Sequence, residues 1–174
     1  MKYFLLFSIL FFNFLFANTS KDVLLLHSYH KGYTWTDDIS SQIEKNFKDN
    51  KNVELTTVYM DSKRIDTSSY LNNLANLYKE QFQNRKFDLI IVSDNTALDF
   101  MIKYHEFLFK DTPVLFCGIN DFDSSILDVN NIRNFMSGVA EEVDLEKNFE
   151  LISKLHPKLK NLLIINDTST TGYA

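Results

Sequence analysis

Short apolar runs alternate with segments of helical spacing along this 174-residue chain, and that alternation limits the fold to few choices. The runs lie at 23–27, 53–59, 89–92, 114–117, 136–139 and 162–165, the fifth being the weakest. The first, third, fourth and last are continuous rather than alternating in polarity, as parallel strands covered on both faces require. Between them, Ile39, Ile43 and Phe47 recur every four residues behind Thr36, which is expected to cap a first helix. Tyr70, Leu71, Leu74, Leu77, Tyr78 and Phe82 form a wide apolar stripe behind Thr67 and Ser68. Leu98, Met101, His105 and Leu108 mark a third helix, with Asp94 or Asn95 as its cap. Leu145, Phe149, Ile152 and Leu155 mark a fourth, capped by Asp144 and stopped at Pro157.

The order β-α-β-α-β-α-β-loop-β-α-β predicts an α/β fold, a doubly wound parallel sheet with right-handed crossovers. Ligands of such sheets bind at the carboxyl ends of the strands, near the point where strand order reverses. Function is therefore sought in the segments that follow the strands.

Several classes fall away on composition. Net charge is −5, which disfavours a nucleic-acid partner. A single cysteine, Cys117, excludes an internal disulfide and a multi-thiolate zinc centre. The four glycines, 32, 118, 138 and 172, are too dispersed for a phosphate-binding loop. Residues 1–17 combine Lys2, an apolar stretch rich in Phe and Leu, and Ala17 before a polar segment. This is the build of a secretory signal peptide, with an apolar core short of the roughly 20 residues of a membrane span. An uncleaved anchor or a buried first strand is the bland alternative.

After the first strand come Ser28, Tyr29, His30, Lys31, Gly32, Tyr33, Thr34, Trp35 and Thr36. Aromatic rings and hydroxyls packed ahead of a helix start can enclose a flat ligand and hydrogen-bond its polar groups. The plainer alternative is that Tyr33 and Trp35 only cover the sheet edge. Asp61 and Ser62 follow the second strand, and Ser93, Asp94 and Asn95 follow the third, where helix capping competes with ligand contact. Gly118 and Asn120 are expected in a loop after the fourth strand, Glu141 after the fifth, and Asp167 and Thr168 after the sixth. Gly118 would allow close backbone approach to a ligand.

Sharper chemistry finds little support. A receiver domain needs acidic residues where Ser28, Tyr29 and His30 stand. His27, His30 and Asp61 lack the spacing of a metal motif, and no nucleophile elbow occurs. Cys117 at a strand end reads as a small buried apolar residue before it reads as a nucleophile. No catalytic residue, metal ligand or cofactor is assigned, and the competing class is an extracytoplasmic hydrolase using His30 and Asp94 or a metal.

The block from Val23 through Ser28-Tyr29-His30 to Trp35-Thr36-Asp37-Asp38-Ile39 resembles the opening of ABC-transporter substrate-binding-type proteins, which have the type I periplasmic binding fold. Ser93-Asp94-Asn95-Thr96-Ala97-Leu98, Phe116-Cys117-Gly118-Ile119-Asn120-Asp121 and Met136-Ser137-Gly138-Val139 agree with it. Some members are free solute-binding proteins beside a permease, and others are sensor regions of membrane histidine kinases or diguanylate cyclases. The resemblance implies two α/β lobes closing on a small-molecule ligand, with no chemistry of their own. Ser28, Tyr29, Trp35, Ser93, Asp94, Asn95, Gly118 and Asn120 would then face the cleft from the first lobe. It implies a periplasmic or extracytoplasmic protein partnered by a permease or a fused transmembrane signalling module, the opening motif favouring the sensor. The division expected is a signal peptide at 1–17, an N-terminal lobe at 18–140 and the start of a second lobe at 141–174, the chain being incomplete at that point.

Overall fold

The computed structural model describes residues 20–50, 52–141 and 144–165. The signal-peptide assignment, Asp167 and Thr168 lie outside them. Five strands form one sheet: β1 (Lys21–His27), β2 (Val53–Tyr59), β3 (Leu89–Ser93), β4 (Val114–Asn120) and β5 (Met136–Glu141). Its order is β2-β1-β3-β4-β5, and every pairing is parallel. Helices α1 (Thr34–Phe47), α2 (Ser68–Phe82) and α3 (Asn95–Leu108) make the first three crossovers. A short helix α4 (Ser125–Val129) lies in the expected loop before β5, and α5 (Leu145–Leu155) follows the sheet.

The continuous apolar run of β1 makes it a central strand. Val23, Leu24, Leu25 and Leu26 are all buried, because both faces of β1 are covered. Side chains two apart share a face. Leu24 and Leu26 join Ile90, Val92, Val114 and Phe116 in a core closed by α2 and α3 through Leu74, Tyr78, Phe82, Leu98, Phe100 and Met101. Aromatic packing is dense there, with Phe82, Phe87 and Phe109 meeting at centroid distances of 5.2 to 6.0 Å. His27 points to the opposite face, where α1 lies against it through Ser40.

Three expectations are corrected. Thr36 does not cap α1: the helix starts three residues earlier than that cap implies, behind Tyr33 and without a side-chain cap, and Thr36 is buried in its first turn. Gly118, Asn120 and Glu141 lie on β4 and β5 rather than in loops, because the pairing of these strands continues past Cys117 to Asn120 and Glu141. Residues 162–165 form no strand. Among the described residues no strand pairs with them, and Leu163 and Ile165 are more than four-fifths exposed. The caps at Thr67, Asp94 and Asp144 are as expected, each side chain accepting a backbone N–H of its own helix. Helix α5 has no buried residue, and its apolar Leu145, Phe149 and Leu155 are exposed.

Candidate functional site

The chain passes from β1 to β2 on one side and to β3 on the other, so strand order reverses between β1 and β3. Helix α1 follows β1 onto one face of the sheet and α3 follows β3 onto the other, the place at which sheets of this kind bind ligands. Here the structure brings together Ser28, Tyr29, Ser93, Asp94 and Asn95, with Trp35, Gly118 and Asn120 beside them.

Buried serines form the floor. The Ser28 hydroxyl donates to the Ser93 carbonyl at 2.8 Å and accepts the Ala97 N–H of α3 at 2.8 Å. The Ser28 carbonyl receives both the N–H and the hydroxyl of Ser62, at 2.8 and 2.7 Å. Ser28 thus ties β1, the start of α3 and the segment after β2 into one unit. Beneath it, His27 is fully buried and stacks on Tyr59. Its Nδ1 lies 2.6 Å from the Ser93 hydroxyl and its Nε2 2.7 Å from that of Ser40. Burial lowers its pKa to about 4, opposed in part by the charge of Asp37, so the ring is neutral at neutral pH. With both nitrogens engaged, His27 has none left for a metal ion.

Asp94 stands at the lip. The turn into α3 forces it to φ 73°, ψ 162°, a region almost reserved for glycine and costing about 1–3 kcal/mol. Its carboxylate accepts the Tyr29 hydroxyl at 2.7 Å and the Asn95 N–H at 2.8 Å. Burial pushes its pKa up, while Tyr29, the Asn95 N–H and Lys63 hold it down and Glu141 adds to the rise. Lys63 reaches over the Tyr29 ring, 4.9 Å from its centroid. Asp61 and Asp121, next to the ends of β2 and β4, also take positive φ, so all three exits turn sharply. Asn95 grips Asn120 twice, donating to its carbonyl at 2.9 Å and accepting its N–H at 3.0 Å. The Asn95 side-chain amide therefore holds the backbone of β4 to α3.

Aromatic rings form the rim. Tyr29 is buried and meets Tyr33 edge-on at 5.2 Å, whereas Tyr33 and Trp35 are each more than a third exposed. The Trp35 indole lies on Gly118, where a Cβ would come within 3.3 Å of the ring. Gly118 has φ 65° and sits at the register shift of β4 against β5, a local bulge. The close approach anticipated for Gly118 is thus made by Trp35. The tight spot and the exposed ring are one feature.

His30 lies farther out, its Nδ1 3.3 Å from Asp61 Oδ1 but without hydrogen-bond alignment. Arg64 engages the same carboxylate at 3.1 and 3.2 Å. Glu141 is the register partner of Asn120 and acts on Asp94 and Cys117 through its charge. The Cys117 thiol is pushed up chiefly by burial and then by Glu141 and Asp94, which keeps it protonated. Sequence reasoning placed Ser62 beside Asp61 after the second strand but missed Ser40 and the bridging role of His27. Ser40 did carry a signal: with Thr36, four residues earlier, it puts polar groups on the inner face of an otherwise apolar stripe.

No family model matches the chain, and no curated protein matches it. Among solved structures it is similar to one described as the ABC domain in complex with L-Trp from Streptococcus pneumonia. The TM-score is 0.52 at 19% identity, over 82% of this chain. The match spans 45% of that protein's chain. The likeness is one of fold: a parallel α/β domain.

Proposed function

We propose that the carboxyl edge of this sheet recognises a small amphipathic molecule carrying a flat ring and a polar or anionic group. One observation carries the reading: an exposed indole is seated against a glycine of β4, at the carboxyl edge where strand order reverses. An aromatic ring kept in water on a rigid support is suited to stacking and enclosing a ligand. Helix α1 begins at the same rim without a side-chain cap, which suits its first N–H groups to a ligand's anionic end. The similar structure was solved with L-Trp, a molecule of this general kind.

Recognition suits the residues better than catalysis. His27 is buried and neutral, the Cys117 thiol is held protonated, and Asp94 is committed to Tyr29 and the start of α3. Following the sequence resemblance, binding closes this lobe against a second one and shifts an open–closed equilibrium. The leader supports an extracytoplasmic location, and the Ser-Tyr-His…Trp-Thr opening supports a sensory input role over a free transport component. Cell fractionation tests the location, with recovery outside the cytoplasmic membrane expected and cytoplasmic retention contradicting it. Thermal-shift screening with the standard amino acids and small aromatic carboxylates tests recognition. A ligand at a hundred times its Kd should add about 2.7 kcal/mol of stability, whereas no shift across the set would reject this ligand class.

A further inference from the structure

We infer that His27 is a positioning residue for the aromatic rim, acting through Ser40 to fix helix α1 and, with it, Trp35; its functional consequence rests on the recognition reading above. Little else orients α1. Its two fully buried residues are Thr36 and Ser40, both polar, while Ile39, Ile43 and Phe47 are only half-buried. Apolar burial is non-directional and leaves a helix free to slide or rotate by small amounts. A hydrogen bond closed off from water is directional, and losing it strands a buried polar group.

The Ser40 hydroxyl meets His27 Nε2 at 2.7 Å, and His27 Nδ1 meets the Ser93 hydroxyl at 2.6 Å. Each hydroxyl can donate or accept, so either neutral tautomer completes the chain. Tyr59 stacks beside the ring at 5.3 Å and limits its rotation. One end of this strut is therefore the residue before Asp94, and the other lies little more than a helical turn beyond Trp35. The two sides of the rim, Asp94 just after β3 and Trp35 on α1, are held at a set separation through one imidazole. Such support of binding groups by a locked second layer is what preorganisation requires.

The chain's single tryptophan makes the test specific, because all indole emission comes from Trp35. Ser40→Ala, His27→Asn and their double variant are compared with the parent in the full chain without ligand. The readouts are emission maximum, anisotropy and acrylamide quenching, with far-UV circular dichroism as the check on folding. Ser40→Ala should shift the emission, lower the anisotropy and raise quenching. His27→Asn should do the same, and the double variant should add nothing further. Ser62→Ala removes an equally buried hydroxyl off the His27–α1 link, and should lower stability while leaving Trp35 emission unchanged. Unchanged emission in Ser40→Ala, additive effects, or an equal response in Ser62→Ala would overturn the inference. Should His27→Asn fail to fold, Ser40→Ala against Ser62→Ala decides alone. Because no ligand enters the measurement, its failure is separate from failure of the recognition reading.

Discussion

Protonating His27 is costly because its ring has no water to turn to. In the fold it titrates at about 4, against 6.5 for free imidazole. The unfolded chain therefore binds more protons than the folded one between those values, and stability falls as pH drops from 6.5 towards 4. The full loss is about 3 kcal/mol, measurable by urea unfolding at pH 7 and pH 4. His27→Asn should flatten that dependence; an equally steep one in the variant would assign it elsewhere. Asp94 works with opposite sign. Burial raises its pKa, so its folded state favours the proton and loses stability as pH rises through the raised value. Gly118 is the other decisive single residue. Gly118→Ala puts a Cβ at positive φ and 3.3 Å from the indole, so a loss of about 1 kcal/mol and an altered Trp35 emission are expected. Retention of parent emission and stability would show that the indole is not seated there.

Among the elements, the β4–β5 ladder and the start of α3 make the clearest predictions. A Cβ on Gly138 would lie 2.1 Å from the Phe116 carbonyl oxygen and 2.5 Å from its ring. Gly138→Ala should separate β5 from β4 and cost more in urea unfolding than Gly118→Ala does; the reverse order would contradict the ladder. Asp94→Ala removes the cap of α3 and an acceptor of the buried Tyr29 hydroxyl, for an expected loss of about 1–2 kcal/mol. Relief of strain at φ 73° offsets none of it, since alanine tolerates that backbone no better. The elements legible in the sequence were those with a local chemical mark. Thr67, Asp94 and Asp144 cap their helices with their own side chains, and β1 announces its double burial by a continuous apolar run. The start of α1 was not legible. Thr36 has the side chain of a cap, but packing against the sheet claims it for the interior. The apolar run at 162–165 misled for the converse reason: apolarity permits a strand, but only a pairing partner makes one.

For the molecule as a whole, strand–helix alternation carried the fold class, because a parallel sheet with helical crossovers is the arrangement that buries such segments in order. Strand order was not legible, since β2-β1-β3-β4-β5 depends on pairings between residues far apart in the chain. The candidate site was legible in part. Its rim residues follow strands, where the sheet architecture directs attention. Its floor of Ser40, Ser62 and His27 comes from separate elements and takes shape only when β1, β3 and α1 meet. The central claim is that this edge recognises a small ring-bearing ligand through Trp35, and calorimetric titration of the parent and Trp35→Ala proteins tests it most directly. With a ligand found by the thermal-shift screen, Trp35→Ala should lose about tenfold or more in affinity, the worth of roughly 1–3 kcal/mol of lost stacking and burial, while folding cooperatively. Equal affinity in both proteins would place the ligand elsewhere and contradict the account.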